Sequence, residues 1–126
     1  MPAWWDETAD GLRYVRCRYA GEDDAAMRAT IDECARLLLG APRPVGVLIE
    51  GRGFRPTPRV LGYAKTVNRD VFGPRRSVAA LTVADALHRT LVNGFNNVGG
   101  GSRVRAVRTE DEAFDWIRRH LAADFD

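Results

Sequence analysis

Arg43-Pro44-Val45-Gly46-Val47-Leu48-Ile49-Glu50-Gly51-Arg52-Gly53-Phe54-Arg55-Pro56-Thr57-Pro58 is the stretch from which the architecture can be read. Its centre, Val45 to Ile49, is short, nearly all apolar, and bounded by proline and glycine. A run of that length between turn signals predicts a strand buried on both faces, as inside a parallel sheet. Gly51-Arg52-Gly53 then opens a loop, and Thr57-Pro58 closes it. Threonine caps a helix through its hydroxyl, and proline suits the first helical position, where its missing N–H would be unpaired anyway. The unit is a central strand, an open loop and a helix start.

Upstream, Met27, Ile31, Cys34 and Leu38 recur at helical spacing, with Arg28, Asp32, Glu33 and Arg36 turned away from them. Gly21-Glu22-Asp23-Asp24 opens that helix, its acids favoured by the positive end of the dipole. Gly40, Pro42 and Pro44 end it. Before it, Leu12 to Tyr19 alternates. Val15, Cys17 and Tyr19 fall on one side, Arg16 and Arg18 on the other, which predicts a strand with one wet face near a sheet edge. Asp10-Gly11 links it in a hairpin to a first strand over residues 3–9. Trp4 and Trp5 read as a lid over one end of the core.

Downstream, the helix from Thr57 carries Val60, Ala64, Val67 and Val71 on one stripe, and Gly73-Pro74 is expected to stop it. Ser77 to Val83 is again apolar on both faces. Asp85 is a candidate N-cap for a helix over about 86–95 that presents Leu87, Leu91 and Phe95. A short strand, Arg103 to Val107, leads into Thr109-Glu110-Asp111-Glu112, which reads as a capping box. The last helix is expected to bury Ala113, Trp116 or Ile117, and Leu121. Alternation of this kind predicts a single α/β domain over residues 1–126. Its mixed, largely parallel sheet has four to five strands, an N-terminal hairpin followed by three βα units, with four helices. Val47, Ile49, Val78, Leu81, Ile31, Leu38, Val67, Leu91 and Ile117 are its expected core.

The chain has 126 residues, 45% of them apolar, enough for one hydrophobic core. A formal charge of +2 leaves no electrostatic footprint for a specific nucleic acid. The arginines do not interleave with aromatics as in a single-strand platform. Lys65 is the only lysine, which is read as the codon bias of a G+C-rich bacterial genome. No window reaches the ~20 apolar residues of a membrane span. The N-terminus lacks the basic-then-apolar pattern of a signal peptide, so the cytoplasm is the expected location. Cys17 and Cys34 have neither metal-ligand spacing nor a Cys-x-x-Cys motif and are expected as reduced, buried thiols.

Taken together, the order of segments resembles a known group. An apolar strand ends in Glu50 and a Gly51-Arg52-Gly53 turn, and a proline-started helix follows. Next come the arginine-led strand Val78 to Val83 and an Asp85-started helix ending near Phe95. A short strand then runs straight into Thr109-Glu110-Asp111-Glu112-Ala113-Phe114-Asp115-Trp116-Ile117. This succession, over about residues 8–121, resembles the small bacterial domains described as STAS-like, similar in fold to anti-sigma-factor antagonists. The resemblance implies one α/β domain with a mixed sheet, and a non-enzymatic role in protein interaction or regulation. In phosphorylated antagonists of this type a serine follows an aspartate at the start of the helix after the central strand. Here that place reads Phe54-Arg55-Pro56-Thr57-Pro58, so Thr57 is the only candidate for phosphorylation and no Asp-Ser pair stands beside it.

No catalytic constellation is legible. His88 and His120 lie far apart on separate predicted helices, with no Cys/His/Asp cluster around either, so neither a metal nor a cofactor is expected. Gly51-Arg52-Gly53 lacks the third glycine of a dinucleotide fingerprint and the lysine of a P-loop. In parallel α/β sheets ligands and partners dock at the carboxyl ends of the strands. Those ends are Gly51–Thr57, Val83–Asp85 and Val107–Thr109, and only the first is long and rich in arginine. Arg52, Phe54, Arg55, Thr57 and Arg59 are therefore the expected partner- or anion-binding residues. The expected partner is a protein presenting an acidic surface. The alternative is a small molecule or anion held by the loop 51–59, and a homo-oligomer is left open.

Overall fold

In a computed structural model the chain forms one five-stranded sheet with helices on both faces. Residues 2–19, 23–51, 57–98 and 104–125 are described here, the side chains of 95–98 and 122–125 excepted. The strands are β1 (Ala3–Glu7), β2 (Arg13–Arg18), β3 (Gly46–Glu50), β4 (Val78–Thr82) and β5 (Val104–Val107). They lie side by side in chain order. β1 pairs antiparallel with β2, and every other neighbouring pair is parallel. The expected α/β class and mixed sheet are thus observed, with five strands. Gly11 turns the hairpin at a φ of 96°, a conformation that glycine adopts without steric cost.

The apolar runs of β3 and β4 are continuous because neighbouring residues serve opposite faces. On one face Val15, Cys17, Val47 and Ala79 pack against Cys34, Leu38 and Phe72. On the other, Tyr14, Leu48, Val78 and Ala80 pack against Ala113, Trp116 and Ile117. Fully burying a side chain of the size of Leu48 or Ile117 is worth ~1.5–3 kcal/mol. The first face carries α1 (Asp24–Leu39) and α2 (Pro58–Val67). It also carries α3 (Ala86–Val98), whose Val92 packs on Leu81, Val83 and Ala106. The second face carries α4 (Glu110–Phe125).

Two expectations fail outright here. Gly73-Pro74 does not stop α2. The helix widens into a π turn over Asn68–Phe72, takes a last turn over Gly73–Arg75 and ends at Arg76 with φ 56°. The Gly73 N–H bonds the carbonyl of Asn68, five residues back. Once the bonding register has slipped in this way, a proline at the head of the next turn removes no helical bond that is still being made. The other failure is Leu91, assigned to the core by spacing, which is exposed, as is Leu87. Ile31, Ile49 and Val67 are half-buried rather than buried. Val47, Val78, Leu81, Leu38 and Ile117 are buried as expected.

The edge at β5 is closed by a side chain. Asn93 on α3 donates its Nδ2 to the Ala106 carbonyl at 3.1 Å and accepts the Ala106 N–H on Oδ1 at 2.7 Å. One amide thus imitates the next strand and covers bonding groups that an edge would otherwise present. Asn93→Ala should lower stability by about 1–3 kcal/mol, the cost of stranding partly buried donors and acceptors. Asn93→Asp should not rescue it, since a carboxylate cannot donate to the Ala106 carbonyl. Urea unfolding of the two variants checks this, and wild-type stability in both would mean that water replaces the amide at no cost.

Candidate functional site

The carboxyl ends of β3, β4 and β5 bring together the starts of α2, α3 and α4. Of the residues expected at this end, Arg52, Phe54 and Arg55 lie outside the described residues. Gly51 is held against β4: its N–H approaches Thr82 Oγ1 at 3.4 Å, and that hydroxyl also approaches the Ile49 carbonyl at 3.4 Å. Thr57 is the N-cap of α2, accepting the Val60 N–H at 3.3 Å, with Pro58 behind it in the first turn. Its hydroxyl donates to Asp24 Oδ1 at 2.9 Å, which ties the start of α2 to the start of α1. Arg59 is exposed one turn away.

Asp85 caps α3, accepting from the N–H groups of Leu87 at 2.8 Å and His88 at 3.4 Å. These bonds, the Leu87 N–H foremost, hold its carboxyl below the usual range. Arg89 folds back to donate to the carbonyls of Val83 and Ala84 at 2.8 and 2.7 Å. Capping and turn closure therefore account for both residues. What they leave is the outer side of α3, where Leu87 and Leu91 are 65% and 60% exposed. They stand four residues apart and so share one helix face.

At the start of α4, Thr109 Oγ1 accepts the Glu112 N–H at 3.2 Å. The Glu112 carboxylate accepts from the N–H of Arg108, at 3.1 Å, one residue earlier than a capping box places it. Glu110 is drawn instead to the sheet. Arg16 reaches it at 2.8 Å, Asp6 at 3.2 Å and Glu50 at 3.9 Å. Arg18 bonds Glu50 at 2.8 Å while lying over the Trp4 ring. Beside this network an open cleft of about 520 Å³ runs between the hairpin and α4. Its lining includes Tyr14 and Phe114, whose rings meet edge to face at 4.9 Å. The Arg118–Asp10 ion pair, at 2.6 Å, also lines it.

Sequence reasoning missed this cleft because Asp10 and Arg118 stand on opposite ends of the chain. The one usable signal was Arg16, a charge on a strand face that the fold half-buries. Cys17 and Cys34 are free and buried. Contact with the Cys34 thiol, together with burial, pushes the Cys17 thiol well up, the direction that suppresses thiolate reactivity. Among the described residues no cluster of histidine, cysteine or carboxylate side chains is placed to hold a metal. No helix among them is long and apolar enough to cross a membrane. Family models, curated proteins and solved structures all give no match to this chain.

Proposed function

We propose that the chain is a non-catalytic, STAS-like domain for protein interaction or regulation, whose protein partner docks at the carboxyl ends of the parallel strands. The observation that carries this reading is the leucine pair on α3. Leu87 and Leu91 stand exposed directly after the β4 end. Apolar side chains at helical spacing gain burial only when another surface covers them, and such pairs serve as anchors in helix-to-groove recognition. Asp85 and Arg89 fix the start of this helix by capping and by closing the turn before it. By sequence the neighbouring stretch 51–59 carries Arg52, Arg55 and Arg59 around Phe54, a basic composition that suits an acidic partner surface. The single α/β domain with a mixed sheet agrees with what the STAS-like resemblance implies.

The anion-binding alternative is less well supported. The Thr57 hydroxyl is already used in both directions, and the Asp24 carboxylate beside it puts negative charge where an anion on the α2 start would sit. A phosphate on Thr57 would meet the same carboxylate.

The test is to identify the partner by affinity capture and then titrate the purified pair. Leu87→Glu and Leu91→Glu should each weaken binding by at least about tenfold, as loss of an anchor residue does. Arg52→Glu and Arg55→Glu should weaken it less. Neither leucine substitution should move the melting temperature by much, since exposed side chains add little stability. Wild-type affinity in both leucine variants would reject this surface.

A further inference from the structure

The two edges of the sheet are finished differently, and the difference points to a second copy of this chain. The β5 edge is covered by the Asn93 amide. β1 is the other edge. The backbone N–H of Arg18 donates to the Pro2 carbonyl at 2.8 Å, and that of Thr8 to the Leu12 carbonyl at 2.9 Å. In the antiparallel register these bonds make the even-numbered residues the ones that bond β2. The N–H and C=O groups of Ala3, Trp5 and Glu7 therefore point outward. Among the described residues only the Glu7 N–H finds a partner there, the Asp6 carboxylate at 2.8 Å. Nothing in Ala3-Trp4-Trp5 guards the edge: it has no lysine, no bulge and no internal proline, the usual devices against strand addition.

We infer that β1 is the contact strand of a two-fold dimer, pairing antiparallel with β1 of a second copy in a register centred on Trp5. The strand is self-complementary in that arrangement. Trp5 meets Trp5, and Ala3 meets Glu7, so every outward bonding residue faces another outward bonding residue. The acidic end, Asp6-Glu7, faces the apolar end, Ala3-Trp4, whereas a parallel pairing would set acid against acid. On the α4 face Asp6 of the second copy comes beside Trp4, over which the exposed Arg18 guanidinium already lies. That places a cation next to the incoming carboxylate. The same strand lies in both subunits, so the contact closes on itself and gives a dimer rather than a filament. This surface is separate from the α3 face, so a dimer leaves the partner site open.

The test is the mass of the chain by sedimentation over a wide concentration range, with amide exchange on the same samples. The wild type should double in mass as concentration rises. The Ala3 and Trp5 amides should pass from fast to slow exchange over the same range, while those of Trp4 and Asp6 are slow throughout. Trp5→Lys, which sets two cations at the dyad, should stay monomeric. Since Trp5 also packs on the core, Glu7→Pro serves as a second variant. Its ring replaces an outward N–H at an exposed position and leaves the β2 ladder intact, and it too should stay monomeric. A monomer at every concentration would overturn the inference. So would a dimer that survives both substitutions with Ala3 and Trp5 exchanging freely, or one abolished by Leu91→Glu, which would move the contact to α3.

Discussion

Gly51→Ala is expected to destabilise the protein by about 3 kcal/mol or more, while Gly62→Ala is expected to stabilise it by about 0.5–1 kcal/mol. The two glycines differ in what a Cβ would meet. At Gly51 it would stand 2.0 Å from the Thr82 carbonyl oxygen and 3.1 Å from its carbon. These are backbone atoms at the end of β4, so no rotamer change relieves the contact and one strand end must move. The movement would spread to the Thr82 hydroxyl and to the turn into α3, which begins at Ala86, three residues beyond Val83. At Gly62, in the middle of α2, a Cβ meets nothing within 4 Å. There alanine only narrows the unfolded ensemble and improves helix propensity. Thermal unfolding of the two variants beside the wild type gives the comparison. Equal, small shifts would mean that β3 and β4 do not approach closely at Gly51.

This close approach also bears on what can be read from sequence. Val45 to Ile49 announces a strand buried on both faces, and the strand is there, because a continuous apolar run has no other way to be buried at that length. Thr57, Asp85 and Thr109 announce helix starts, and each hydroxyl or carboxylate makes its capping bond. Such signals are local, so a single sequence carries them. Gly51 reads as a turn residue, yet its neighbour 31 residues on is what demands glycine. Asn93 reads as a polar helix position, and its use depends on where β5 lies. The cleft between the hairpin and α4 depends on a pair, Asp10 and Arg118, separated by 108 residues. Periodicity marks Leu87 and Leu91 as one stripe and is silent on whether the domain itself supplies the surface that covers it. Arg52, Phe54 and Arg55 stand as sequence-based expectations alone, outside the described residues.

Leu38→Ala is expected to cost about 2–5 kcal/mol, whereas Leu91→Ala should change stability by no more than about 0.5 kcal/mol. Both leucines sit on helical stripes that spacing assigns to the core. Leu38 is 1% exposed and belongs to the cluster that holds Val15, Cys34, Val47 and Phe72. Truncating it removes transfer free energy and leaves a cavity that β2, β3 and the π turn of α2 surround, so collapse is limited and the cost lies well above that of a surface change. Leu91 is 60% exposed and gives up little on truncation, because its side chain is in water in the folded and unfolded states alike. Denaturant unfolding of the purified chain, at a concentration where its mass is that of a monomer, separates the two. A shift near zero for Leu38→Ala would mean that α1 presents a different face to the sheet. A loss for Leu91→Ala as large as that for Leu38→Ala would mean that the α3 stripe is packed within the domain, and the partner surface would then have to lie elsewhere.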